Sequence, residues 1–226
     1  MVTGSGATDT GSMAWLSSWI AVTPSPLHLV IHGRSGGEIP TEVEAFAADL
    51  TARRHAAVTI EALSAGPPRL PQRDGRLGLV PLLLLPGWHV RRDLPAIRRR
   101  LVAAGLKVQA HPFLGAWPAW LDHLRHWLEG VRRQGRRPAV VHHPLDTVLG
   151  RRYLGLLERR LEVTLLTTDD AQAYCGRGGE LRCLLPLALA PNRMTDALAS
   201  LPLEAPHLLA HPPSRSLLLE ELRRLP

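Results

Sequence analysis

Two well-separated stretches of this chain are near copies of each other. Leu79-Val80-Pro81-Leu82-Leu83-Leu84-Leu85-Pro86 is echoed by Leu184-Leu185-Pro186-Leu187-Ala188-Leu189-Ala190-Pro191. Other landmarks recur around them in the same order: Leu29 to His32 against Ala139 to His142, and Ala110-His111-Pro112 against Ala210-His211-Pro212. A chain duplicated in this way is expected to fold as two similar halves. The repeated run is nearly all apolar, the pattern of a parallel strand covered on both faces.

The segments between these landmarks alternate in kind. Leu27 to Ile31 reads as a strand, and Pro40 then opens a helical pattern with Val43, Phe46, Ala47 and Leu50 on one face. Ala57 to Leu63 reads as a second strand, Pro67 to Gly75 as a loop, and Leu77 to Leu85 as a third strand. Asp93 suits a helix N-cap and Pro95 a first helical turn, with Leu94, Ile97 and Leu101 as the buried stripe. Lys107 to His111 is a fourth strand and Ala116 to Arg133 a long helix, with Trp117, Trp120 and Trp127 as packing residues. Leu149 to Leu161 and Val163 to Thr167 supply a helix and a strand of the second half. Strands alternating with helices imply parallel pairing. The expected fold is α/β, with two tandem halves at 25–134 and 137–226, each a mainly parallel four-stranded sheet flanked by helices. A flexible N-terminus occupies 1–24.

Composition narrows the function classes. No apolar run approaches the roughly 20 residues that cross a bilayer, so no membrane role is expected. Met13 to Val22 is apolar but lacks the basic flank and cleavage site of a signal peptide. A cytoplasmic protein is expected, with Met13 as an alternative start. Two cysteines, Cys175 and Cys183, cannot build a disulfide framework or a four-thiolate zinc site. The formal charge is +7, and Lys107 is the only lysine. Arginine forks grip carboxylates and phosphates in pairs, so the excess suits an anionic ligand as well as a solvated surface. Nucleic acid fits poorly, because aromatics make up only 4% of the chain and no strand alternates them with basic residues.

In an open parallel sheet, ligands bind beyond the carboxyl ends of the strands. His32 lies just past the first strand, and His89 just past the third, in Pro86-Gly87-Trp88-His89. Neutral imidazole is a good ligand for divalent cobalt, iron, nickel and zinc. It also accepts protons near neutral pH. Metal insertion into a macrocycle needs both services, since the ion must be held exchangeably and two pyrrole protons must leave. Hydrogen-bonded loop caps are the structural alternative for the same two residues.

These segments resemble a known family. Leu29-Val30-Ile31-His32-Gly33-Arg34-Ser35 is similar to the opening strand and His-Gly-Ser-Arg loop of the small class II tetrapyrrole chelatases. Val80 to Pro95, containing Gly87-Trp88-His89-Val90 and Asp93-Leu94-Pro95, resembles their second signature more closely. That signature is a hydrophobic strand, a Gly-x-His-Val loop and an Asp-Ile-Pro segment. The family comprises the sirohydrochlorin cobaltochelatases and ferrochelatases of cobalamin and siroheme biosynthesis. The resemblance covers about residues 26 to 130, and the remainder looks like a diverged second half. It implies that His32 and His89 bind the metal and accept protons. It further implies an acidic tetrapyrrole substrate, Co²⁺ or Fe²⁺ (with Ni²⁺ as a further option) as the metal substrate, and no organic cofactor. Arg34, Ser35, Trp88, Arg91 and Arg92 are the expected substrate-binding residues.

The chain departs from the family in reading Gly33-Arg34-Ser35 for Gly-Ser-Arg, and in a short segment between strands two and three. Glu61 is the nearest match to the family's glutamate after the second strand and is expected as a third catalytic residue, although its register looks two or three residues early. In the second half Met194 stands where His89 stands in the first, so that half, including His142 and His143, is expected to be structural. His111 and His211 are expected to be structural too, with His111 as a remote extra ligand. The competing functions are a chelatase relative that binds metal or tetrapyrrole without turnover, and a general polyanion binder, which charge alone supports.

Overall fold

The computed structural model describes residues 24–68, 75–176 and 181–226. The expected N-terminal segment 1–24 therefore lies outside the described residues except for Pro24, as does the tip of the 67–75 loop.

The first half contains β1 (Leu27–Ile31), α1 (Thr41–Arg54), β2 (Val58–Ala62), β3 (Gly75–Pro81), α2 (Trp88–Ala103), β4 (Leu106–Ala110) and α3 (Pro118–Arg133). The second contains β5 (Arg136–Val141), α4 (Val148–Leu161), β6 (Thr164–Leu166), α5 (Thr168–Cys175), β7 (Leu181–Pro186), α6 (Arg193–Leu198) and α7 (Pro212–Arg224). The first sheet runs β2-β1-β3-β4 and the second β6-β5-β7, with every pairing parallel. In each sheet the chain leaves the central strand toward one side and returns on the other. The crevice therefore opens between β1 and β3, and again between β5 and β7.

The two-half α/β fold matches expectation, but among the described residues the second sheet has three strands where four were expected. The place of a fourth strand is held by a single bridge, Leu184 to Leu203. Proline at 202 and 206 brackets that segment, and a residue without an N–H cannot extend a ladder. β3 also stops at Pro81, short of the expected Leu85. Leu82 still donates to Val30 O (2.8 Å), but β1 ends one residue later and leaves no partner beyond. Leu82 to Leu85 are apolar because they pack against both cores as they leave the sheet.

Helix α2 starts at Trp88, and its cap Gly87 lies six residues before the expected Asp93 cap. Pro95 therefore sits inside the helix, while Leu94, Ile97 and Leu101 form the buried stripe as expected. The described part of the β2–β3 connection, 63–68, carries no helix.

The long helices are exchanged between halves. α3 packs on β5 and α4, and α7 packs on α1. One core runs through both halves, joining Leu29, Phe46 and Leu114 to Val140, Leu185 and Leu218. Trp117 and Trp120 are buried in it and Trp127 packs against it. Arg54, at the end of α1, is buried and donates to the carbonyls of Leu222, Arg223 and Leu225 at the end of α7, and to Ser25 O. Those carbonyls are among the ones a helix terminus leaves without partners, and Nη1 of the guanidinium satisfies them. Among the described residues, no helix is long and apolar enough to cross a membrane.

Candidate metal-binding cleft

The carboxyl edges of both sheets face one cavity of about 820 Å³. That is toward the upper end of the range for small-molecule sites, roughly 300–1,000 Å³. Its walls come from both halves: His32, Trp88 and His89 from the first, and His143, Arg193 and Met194 from the second.

His32 enters the cavity directly from the end of β1. Gly33 follows with φ of +73°, and a Cβ there would lie 2.8 Å from Ala62 Cβ and 2.9 Å from Ser64 Oγ. Only glycine turns the chain this sharply against β2. The second residue of α2, His89, comes from the β3 exit loop. That loop is held from below by the second half. Tyr153 of α4 donates its hydroxyl to Gly115 O (2.6 Å), with Leu84 O at 3.3 Å, and Gly115 N donates to Leu83 O (3.0 Å). A Cβ at Gly115 would overlap Leu84 O, so this close approach requires glycine.

The two imidazoles meet. Their ring centroids are 4.5 Å apart and their planes cross at 83°. His89 Nδ1 donates to Asp93 Oδ2 (2.5 Å), one helical turn on. A proton held at Nδ1 leaves the Nε2 lone pair free, the carboxylate–histidine arrangement found behind metal ligands. The aspartate expected to cap the helix instead orients the histidine. Burial lowers the His32 pKa from its ordinary value, and the nearby His89 and His143 lower it further. His32 is thus kept in the neutral form that ligates metal. Among the described residues, no third His, Cys, Asp or Glu joins a group that could hold a metal ion.

Not every expected residue is here. Glu61 lies across from Val30, two residues before His32, and faces α2 instead of the cavity. It is 5% exposed, receives a hydrogen bond from His28 Nε2 (2.7 Å) and is ion-paired to Arg100 (2.5 Å). Burial pushes its pKa up, but the His28 and Arg100 contacts outweigh that and hold it below the usual carboxylate value. The structure does not bring Glu61 to the histidine pair. Past β2 the residue reaching the cavity is Ser64, whose hydroxyl donates to Arg34 O (3.0 Å).

Arg34 lines the cavity, but its guanidinium is paired with Asp196 of α6 (3.1 Å). Trp88 stands at the cavity 57% exposed, with the Arg92 guanidinium 5.1 Å from its ring centre. Arg91 and Arg92 themselves are exposed on α2 and do not line the cavity. Ser35 begins a 3₁₀ turn (Ser35–Gly37) in the loop after His32, and its side chain lies outside what is described. Nor does His111 line the cavity. His211 stacks on Trp127 (3.6 Å, 8°) and hydrogen-bonds Ser214 (2.7 Å), a packing role as expected.

Sequence reasoning gave His143 a structural role, whereas it lines the cavity, and passed over Arg193. Both were legible in the duplication: Arg193 occupies the position of Trp88, and His143 follows the histidine that matches His32.

No family model matches the chain, and no curated protein matches it. Solved structures do. SirB from Bacillus subtilis with Fe3+ superposes with a TM-score of 0.64 at 14% identity, covering 88% of this chain and 94% of that one. The sirohydrochlorin chelatase SirB from Bacillus subtilis subspecies spizizenii, in complex with cobalt, gives 0.58 at 16% identity over 88% and 94%. CbiX, described as the terminal enzyme for biosynthesis of siroheme in denitrifying bacteria, gives 0.57 at 17% over 88% and 98%. Nearly the whole of each neighbour is matched, so the similarity extends over both halves of this chain. The chain has the two-half α/β fold of the sirohydrochlorin chelatases.

Proposed function

We propose that this chain inserts a divalent metal, cobalt or ferrous iron, into sirohydrochlorin or a closely related acidic tetrapyrrole, in the cytoplasm and without an organic cofactor. The observation that carries the reading is the convergence of His32 and His89 at the β1–β3 crevice, with Asp93 holding His89 by its far nitrogen. The ion is a substrate. It is held by two imidazoles, His32 and His89 Nε2, and its other positions stay open to water and the incoming pyrrole nitrogens. The macrocycle lies in the cavity against Trp88, whose exposed ring offers a stacking face. As the pyrrole nitrogens take the metal, the released imidazole nitrogens accept the departing protons. The fold neighbours support this reading, since their names record iron, cobalt and sirohydrochlorin chemistry.

A second reading has an observation in its favour. Glu61 is buried and held by His28 and Arg100, so the glutamate expected beside the histidines does not serve them. A protein that binds the macrocycle or metal without turnover is consistent with that loss. A side-by-side absorbance assay with sirohydrochlorin and Co²⁺, Fe²⁺ and Ni²⁺ separates the two. Metal-dependent conversion with at least one ion supports the chelatase. Tight macrocycle binding with no conversion by any ion selects the carrier.

A further inference from the structure

The second half has lost one histidine of the metal pair, yet its wall still faces the cavity. Of the two arginines that line it among the described residues, Arg34 is already paired with Asp196. Arg193 is exposed on the opposite wall and has no hydrogen-bond or ion-pair partner among the described residues. Among the described residues, Glu38 is the one carboxylate residue lining the same cavity, and it lies in the loop that carries Arg34. The position of Arg193 is the counterpart of Trp88, each being the first residue of the helix after the strand that borders the crevice. The duplicated scaffold thus presents an aromatic ring beside the metal pair on one wall and a guanidinium on the other.

We infer that Arg193 is a specificity-determining residue, which grips a peripheral carboxylate of the macrocycle and so selects carboxylate-bearing macrocycles for the cleft. The inference rests on the proposed tetrapyrrole reading and deepens it. A guanidinium fork matches a carboxylate in two parallel hydrogen bonds, and an arginine with no internal partner need not break one to bind. Because the carboxylate is remote from the pyrrole nitrogens, the contact is the same before and during metal insertion. Its loss therefore raises KM and leaves kcat in place.

The test is titration of sirohydrochlorin into the full-length protein, followed by absorbance, with wild type, Arg193→Gln and Arg193→Lys. Loss of one charge-assisted contact predicts about a tenfold weaker Kd and KM in Arg193→Gln, kcat within about twofold, and partial recovery in Arg193→Lys. Cobalt binding in the absence of macrocycle stays unchanged. A macrocycle with its carboxylates esterified is expected to bind wild type and Arg193→Gln alike. Equal sirohydrochlorin affinity in wild type and Arg193→Gln, or an equal loss for the esterified macrocycle, overturns the assignment and leaves the chelatase reading standing. Wild-type protein that fails to bind sirohydrochlorin at all removes both.

Discussion

The two halves share a scaffold and differ where the strands end. After β3 the chain delivers Trp88 and His89, with Asp93 one turn on to hold the imidazole. After β7 it delivers Arg193 and Met194, and the residue one turn beyond Met194 is Leu198, buried in the core. His32 opens onto the cavity from β1. Its counterpart His142 is 6% exposed and bonds the carbonyl of His143 through Nδ1 (2.7 Å). Parallel strands, apolar packing and the exchanged helices kept the scaffold in both halves. The chemistry sits on a few loop positions, which change without disturbing that packing.

The sharpest way to break the comparison is to remove the metal pair. His32→Ala and His89→Ala should each lower the insertion rate by more than about a hundredfold, exceeding the effect typical of a supporting residue. His142→Ala should leave the rate largely unchanged, read by the same absorbance assay after correction for any change in stability. Next comes the orienting carboxylate. Asp93→Asn should weaken cobalt binding by about 10–100-fold while leaving the fold intact, because His89 then loses the partner that fixes its tautomer.

Adding the missing histidine sharpens the contrast from the other side. Met194→His should not create a second metal site, so cobalt stoichiometry by calorimetry stays at that of wild type. The reason is that His142 is buried and turned toward its own backbone. The same substitution places a polar ring in the second half's core and should cost roughly 1–3 kcal/mol of stability.

Titration offers a subtler test. His32 should titrate below the ordinary value of about 6.5 in the metal-free protein, as followed by NMR. His89→Ala should move that midpoint upward, since a neighbouring positive charge is removed while burial remains. The sign for stability follows. Because the folded state disfavours the imidazolium, this contribution is present above about pH 6.5 and declines as pH falls toward the lowered value. The smallest effect is expected at the mouth of the cleft. Asp196→Asn frees Arg34 and should change stability by less than about 1 kcal/mol, because both partners are substantially exposed.

Much of this was legible beforehand, for a physical reason. Strands such as Leu27–Ile31 and the α1 stripe of Val43, Phe46, Ala47 and Leu50 declare themselves through burial, which sequence records as apolar periodicity. The histidine pair was legible because strand ends are where an open parallel sheet places ligands. What stayed hidden depends on partners far away in the chain. Periodicity shows that α3 and α7 have apolar faces but not that each crosses to the other half. Arg54 continues the α1 stripe four residues after Leu50, but nothing local shows that its partners are carbonyls at the end of α7. Apolar character alone made Leu82 to Leu85 look like strand when they form the divide between two cores. Glu61 was the hardest, since a strand residue's side of the sheet is decided by register, and here register turns it toward Arg100.

The account depends on one ion being shared by two imidazoles. Titrating Co²⁺ into metal-free protein and recording its X-ray absorption tests this directly, because imidazole ligands give a characteristic outer-shell scattering signal. The structure predicts two imidazole nitrogens per bound ion in wild type, one in His89→Ala, and two in His142→Ala. Cobalt bound without imidazole, or an unchanged signal in His89→Ala, would contradict it.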